Sequence, residues 1–239
     1  SNPLGWHGVS PARAIGDTDV MLILVPTALE AQGLLDGPVP TCETPVATRV
    51  GETPVEAALC GFGPAAAGAL AAIALGQTRA ERVALVGVGG TFDAERLPVG
   101  GLLAADEVRM HGIGRGEGQA HEGPAATGFP QAPAGASDTA VIDRLPVGDG
   151  RAVEAVPGVL LTVAAAASWP EEATRRREAH PDALAEDMEG FPVALACVRL
   201  GRSLAILRGI SNVVGEPASW ALDAGVAAAR RGLRAWAGA

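Results

Sequence analysis

The sequence predicts an α/β domain of the layered kind, and three observations carry the prediction. Short, continuously apolar runs such as Val20–Val25 recur along the chain, as expected of strands buried on both faces. Stretches of helical content lie between them, so strands and helices alternate. Of 239 residues, 48% are hydrophobic and 19% charged, which is enough apolar chain for a sizeable core and too little charge for a disordered polypeptide.

Residues 1–18 are polar and broken by Gly and Pro, with no apolar central run. They read as a poorly ordered leader or a leftover of cloning beginning Ser1-Asn2, not as a signal peptide. One domain is expected over 19–239, because no linker divides the rest. Val20–Val25 is its first strand, ending at Pro26. Thr27–Leu35 follows as a helix, with Thr27 as N-cap and Glu30 completing a capping box. Pro45–Val50 and Val55–Cys60 flank the turn Gly51–Pro54 and read as a paired hairpin. After the break Gly61-Phe62-Gly63-Pro64, Ala65–Leu75 reads as a small-residue helix. Val83–Val88 is a buried strand ending in Gly89-Gly90, and Leu102–Val108, Val159–Val163 and Leu204–Leu207 are three more. Arg175–Ala185 and Met188–Leu200 read as helices. A last helix from about Pro217 to Ala237 carries Trp220, Val226, Leu233 and Trp236 on one side. Residues 112–138 are rich in Gly, Pro, Ala and Ser, and read as a surface loop or a substrate lid.

Composition excludes several chemistries. All 18 basic residues are Arg, and Tyr is absent as well. No Schiff-base lysine, P-loop lysine, Ser–Lys dyad or tyrosine general acid is available. A net charge of −9 argues against a nucleic-acid or anionic-membrane partner. No apolar run reaches the roughly 18 residues that span a bilayer. Cys42, Cys60 and Cys197 share no metal-ligand spacing and read as reduced thiols, so a cytoplasmic location is expected, with no metal and no organic cofactor.

The remaining candidates sit where α/β domains bind ligands, after strand ends. Glu30, five residues beyond Val25, is either a capping-box residue or a carboxyl that activates water or protonates a leaving group. Gly61-Phe62-Gly63 and Gly87-Val88-Gly89-Gly90 are either structural turns or places where backbone N–H groups approach a ligand. Asp187-Met188-Glu189-Gly190 is either a favourably charged helix start or a clamp on vicinal hydroxyls, with the Met188 thioether against a sugar face. Arg208-Gly209-Ile210-Ser211-Asn212 ends in an amide able to meet a base edge as donor and acceptor, or in an ordinary turn asparagine.

In this order, from about Val20 to Trp236, the pieces resemble the nucleoside phosphorylase and nucleosidase superfamily. Thr27-Ala28-Leu29-Glu30, Cys60-Gly61-Phe62-Gly63, Gly87–Phe92, Asp187–Gly190 and Arg208–Asn212 are the landmarks, the last two being the most specific. Within it the chain is most similar to the futalosine hydrolase family. Methylthioadenosine and adenosylhomocysteine nucleosidases resemble it too, but typically carry Asp where this chain has Asn212. The resemblance implies a three-layer fold with a mixed central sheet between helices, assembled as a homodimer or higher homo-oligomer. It implies that Glu30 positions the attacking water, that Met188 and Glu189 hold the ribose, and that Asn212 faces purine N7 and O6. Gly63, Gly87, Val88 and Ser211 are implied to line the substrate. Main-chain groups of Ala164–Trp169 would lie beside the base, with Trp169 or Phe191 stacking on it.

The implied reaction is hydrolysis of the N-glycosidic bond of futalosine, releasing hypoxanthine for menaquinone biosynthesis. Methylthioadenosine/adenosylhomocysteine cleavage, 6-oxopurine phosphorolysis and non-catalytic nucleoside binding are the alternatives. Phosphorolysis needs a dianion site, and the positions before Gly87, where phosphorylases commonly place Arg, are Leu85 and Val86. Arg49 is then the one remaining candidate for such a site from that half of the chain.

Overall fold

The structure is a computed structural model that describes residues 20–116, 118–135, 140–148 and 153–238. The expected leader, residues 1–18, lies outside them. A mixed β-sheet forms the centre, and helices cover both of its faces. Strand β1 (Met21–Val25) lies between β3 (Thr53–Leu59) and β4 (Arg82–Thr91), parallel to both, and β2 (Val46–Val50) pairs antiparallel with β3 at the edge. On its other side β4 runs parallel to the last strand, β9 (Ser203–Val213). β9 pairs antiparallel with β5 (Leu102–Met110), which also pairs with β6 (Arg144–Pro146) and with β7 (Val156–Thr162). β7 runs parallel to β8 (Ala183–Asp187), and β8 returns to meet β4 at Gly90–Glu186 and Thr91–Ala185. The pairings β4-β9-β5-β7-β8-β4 therefore form a closed circuit, and the strand ends that hold the candidate site lie around it.

Both faces of β1 are dry, and its residues alternate between two cores. Leu22 and Leu24 face a core with α2 (Pro64–Gln77) and α5 (Gly190–Arg199); Met21, Ile23 and Val25 face one with α1 (Ala28–Leu34) and α6 (Leu222–Ala237). Alternation with no polar position is why the run was continuously apolar. Helix α2 shows Ala67, Ala71 and Ala74 to its core, and such small residues let α5 approach closely. Helix α6 is amphipathic and buries Leu233 and Trp236. It lies so close to β9 that a Cβ on Gly209 would strike Gly225 O, so no larger residue fits there.

Several elements differ from expectation. The helix expected over Arg175–Ala185 is α4 (Pro170–Ala179), and Ala183–Asp187 is strand β8 instead. Its alanines, leucine and glutamate are good helix formers, but pairing with β7 and β4 overrides that preference. The strand expected to end at Gly89-Gly90 continues to Thr91, and the strand expected to end at Leu207 continues to Val213. Gly87–Gly90 and Arg208–Asn212 are thus extended strand, not turns. The second acidic helix starts at Gly190 with Glu189 as N-cap, two residues later than expected. Trp220 precedes the final helix and is exposed, outside the apolar stripe. The stretch 112–138 holds a short helix, α3 (Pro124–Thr127), among its described residues.

Candidate active site

The ends of β1, β9 and β8 and the second half of β4 bring four buried ionisable groups together. Glu30 stands in the first turn of α1, where its Oε1 accepts from Val88 N–H at 3.0 Å and its Oε2 accepts from Thr27 Oγ at 2.6 Å. Thr27 also accepts the Glu30 N–H at 3.3 Å, so the cap aims the carboxylate across at β4. Glu189, the N-cap of α5, accepts from Gly63 N–H at 3.0 Å through Oε1, at the N-terminus of α2. Asp187, the last residue of β8, accepts from Thr162 Oγ at 2.7 Å and from Gly190 N–H at 2.8 Å.

Arg208 joins these groups from the middle of β9. It is 0% exposed; its Nε and Nη2 donate to Asp187 Oδ2 at 3.0 and 2.7 Å, and Nη2 also reaches Glu189 Oε2 at 3.2 Å. Its Nη1 is buried and makes no hydrogen bond among the described residues. Burial alone would push the guanidinium pKa down, but Asp187, Glu189 and Glu30 together hold it above its ordinary value. The same burial, with Asp187 and Glu30 adding like charge, raises Glu189 to about 7 against the pull of Arg208 and Gly63 N–H. Burial likewise pushes the nearby Cys60 thiol up, leaving it protonated and inert at neutral pH.

The glycines of β4 have a steric reason. A Cβ on Gly87 would strike Arg208 Nη1 and come 2.7 Å from Glu30 Oε1; one on Gly90 would come 2.9 Å from Asn212 Nδ2. The strand is stripped of side chains because neighbouring side chains lie over it. Between Gly89 and Gly90 the β4–β9 register slips by one residue, which leaves Ser211 as a bulge. The bulge sets Asn212 opposite Gly90. Its Oδ1 lies 3.0 Å from Ser211 Oγ and its Nδ2 donates to Val213 O at 3.2 Å, so one acceptor and one donor position of the amide remain unspent.

Met188 lies between these two halves. Its Cε is 3.9 Å from where a Gly63 Cβ would be, and it packs on the cluster of Phe92, Val163, Ala167 and Val214. The two aromatic residues expected beside the base part company. Phe191 is 3% exposed within the α2–α5 core, drawn inward by the first turn of α5, whereas Trp169 caps α4 and is 66% exposed. Of the pair, only Trp169 has a free ring.

Sequence reasoning quoted Asp187 and Arg208 within its motifs without giving either a role of its own, and missed Thr162. The available signal was an arginine inside the otherwise apolar run Leu204–Ile210, since a charge in a buried strand requires partners. An arginine does therefore stand at the site, on β9 and not at the positions before Gly87, which are Leu85 and Val86. Arg49, the earlier candidate, is half-exposed, and its bonds go to Asp36 O and Glu52.

This arrangement defines a class. The chain belongs to the phosphorylase superfamily, whose family model matches residues 22–234. It is 35% identical to a futalosine hydrolase of Streptomyces coelicolor over 178 residues, 70% of this chain and 72% of that protein. It is 30% identical over 161 residues to a 5′-methylthioadenosine/S-adenosylhomocysteine nucleosidase of Colwellia psychrerythraea, 65% of each chain. A crystal structure of a nucleosidase of that name from the same organism, in complex with adenine, superimposes with a TM-score of 0.74 at 21% identity, over 93% of this chain and 96% of that one.

Proposed function

We propose that the chain hydrolyses the N-glycosidic bond of a 6-oxopurine nucleoside, with futalosine as substrate and hypoxanthine as the released base. The observation that carries this reading is the Arg208 Nη1 donor, unpaired and buried beside Glu30 over Gly87. A water accepting from Arg208 Nη1 and donating to Glu30 would be held with its lone pair available. Glu189 accepts the 2′- and 3′-hydroxyls of the ribose, with Met188 against the sugar face. As the bond to the base breaks, positive charge grows on the ribose, and the surplus of carboxylate over guanidinium stabilises it.

The same surplus disfavours phosphate as nucleophile. Arg208, the one arginine paired with these carboxylates among the described residues, is already shared by Asp187 and Glu189, and Leu85 and Val86 supply no second cation. A dianion would meet net negative charge.

Asn212 carries no titrating proton. Its carbonyl accepts from a protonated N7 and its NH₂ donates to a 6-oxo group, a pairing that suits hypoxanthine over adenine. The Colwellia relative supports methylthioadenosine/adenosylhomocysteine cleavage as the second reading. A homo-oligomer in the cytoplasm belongs to the same proposal.

Base release from futalosine, inosine and methylthioadenosine, with and without phosphate, tests it by chromatography. Futalosine is expected to be cleaved fastest and independently of phosphate. Phosphate-dependent turnover of inosine overturns hydrolysis, and faster cleavage of methylthioadenosine overturns the 6-oxo preference. Binding without turnover of any nucleoside makes the chain a sensor. Glu30→Gln is expected to lower kcat by roughly a hundredfold or more, as loss of a positioned general base does.

A further inference from the structure

The segment Ala164–Trp169 joins β7 to α4, and its first four residues are alanines. A run of alanines has no side-chain hydrogen bond with which to fix its own shape, so its conformation must be imposed by groups elsewhere. Two ionisable side chains do this. Glu186 of β8 is buried, and its Oε1 accepts from Ala167 N–H at 3.0 Å. Its Oε2 accepts from Arg176 Nη1 of α4, and Arg176 Nη2 donates in turn to Ala165 O at 2.8 Å. One carboxylate and one guanidinium, paired with each other, thus hold a backbone carbonyl and a backbone N–H two residues apart.

The consequence follows from peptide geometry. A trans peptide is planar, with its C=O and N–H pointing in opposite directions. Holding Ala165 O toward Arg176 turns the Ala166 N–H away from the clamp; holding Ala167 N–H toward Glu186 turns Ala166 O away as well. Neither polar group of Ala166 makes a hydrogen bond among the described residues. Ala167 itself packs in the apolar cluster with Val214, against which Met188 also rests, and Gly215 lies against the Trp169 backbone. The segment therefore stands next to the strand end that carries Asn212.

We propose that the Arg176–Glu186 pair is a positioning device that aims the Ala166 N–H and C=O at the edge of the purine. This rests on the proposed function, in which Asn212, on the adjoining strand end, faces the base. Neither residue touches the substrate; both act through the backbone. An arginine is required because one planar fork serves the carboxylate and the carbonyl at once, which a lysine ammonium on a flexible stem does not reproduce.

Hypoxanthine is the probe, with its Kd read by calorimetry, and kcat and KM are measured on futalosine and inosine. Arg176→Ala and Arg176→Gln are expected to raise the hypoxanthine Kd and the nucleoside KM by about tenfold to a hundredfold, with kcat changed much less. Arg176→Lys should recover only part of the loss. Arg176→Ala combined with Glu186→Gln should lose no more than the worse single variant, as two halves of one clamp would. Folded variants, checked by their melting transitions, that keep the wild-type Kd and KM overturn the proposal, as does a loss confined to kcat. A wild-type protein that binds no purine and cleaves no nucleoside defeats the reading of function itself, and the clamp with it. Normal wild-type turnover with insensitive Arg176 variants defeats the clamp alone.

Discussion

Across the site, the wall that carries Glu30, Asp187, Glu189 and Arg208 is made of ionisable side chains taken out of water, whereas the wall that carries Ala166 and Asn212 offers backbone groups and one neutral amide. The first wall can concentrate charge only because its members satisfy one another: two carboxylates share Arg208, and Thr162, Gly63, Gly190 and Val88 supply further donors. On the proposed function the second wall needs no charge, because it would read a flat base by its edge. Its polar atoms are fixed from behind, through Glu186, Arg176 and Glu172, the last accepting from Ser168 N–H at 2.7 Å. A charge-bearing wall is fragile to the loss of any one member. A backbone wall is indifferent to its own side chains and sensitive to the groups that hold it.

The most severe test of that contrast is Arg208→Met. Methionine fills similar length without charge, and leaves Asp187, Glu189 and Glu30 buried near one another with no cation. Removing one partner of a buried ionic group typically costs about 3–5 kcal/mol, and a loss of that size in denaturant unfolding is expected here. The loss should shrink as pH falls. Arg208 is what pulls the Glu189 carboxyl down against its burial, so without the guanidinium Glu189 holds its proton more tightly in the folded state than in the unfolded chain, and acid favours the folded variant. A variant as stable as wild type at pH 8 would mean that the wall tolerates unpaired charge, and the contrast would fail.

The base wall should answer differently. Asn212→Asp keeps shape and volume and the acceptor beside Ser211 Oγ, and gives up only the Nδ2 bond to Val213 O at the half-buried end of β9. What changes, on the proposed function, is the group offered to N7. A carboxyl can give a proton that the amide lacks, while the NH₂ donor to a 6-oxo group is lost. The ratio of inosine to adenosine turnover is expected to fall by about tenfold to a hundredfold, with little change in melting temperature. An unchanged ratio would place base selection elsewhere, with the Ala166 backbone as the next group to examine.

How far each wall was legible in the sequence follows the same division. Glu30, Met188-Glu189 and Ser211-Asn212 stand out because a side chain at a strand end or helix start is visible as a letter. Arg208 was visible too, but its meaning depends on β9 running on through Ile210 where a turn was expected. Strand β8 was misread as helix, because alanine and leucine prefer helices and only the neighbours β7 and β4 make it a strand. With β8 unrecognised, nothing marked Glu186 as an inward-facing group. Ala164–Ala167 is the extreme case: four identical small residues show nothing of a segment whose polar atoms are all in the backbone.

The smallest effect returns to the charged wall and concerns Glu189. With its carboxyl raised to about 7, the free enzyme at neutral pH holds this group close to half protonated. Only the carboxylate can accept from both ribose hydroxyls, so kcat/KM should fall on the acid side with an apparent pKa near 7, approaching tenfold per pH unit well below it. Stability moves in the opposite sense. A carboxyl whose folded pKa exceeds its unfolded one binds its proton more tightly when folded, so this group's contribution is full at low pH and is lost as pH rises through 7. Glu189→Gln separates the two. It should abolish the acid limb of kcat/KM at a low, flat level and flatten stability across the same interval. If the acid limb survives in Glu189→Gln, another group of the wall titrates there, and the ionisation that governs ribose binding is not that of Glu189.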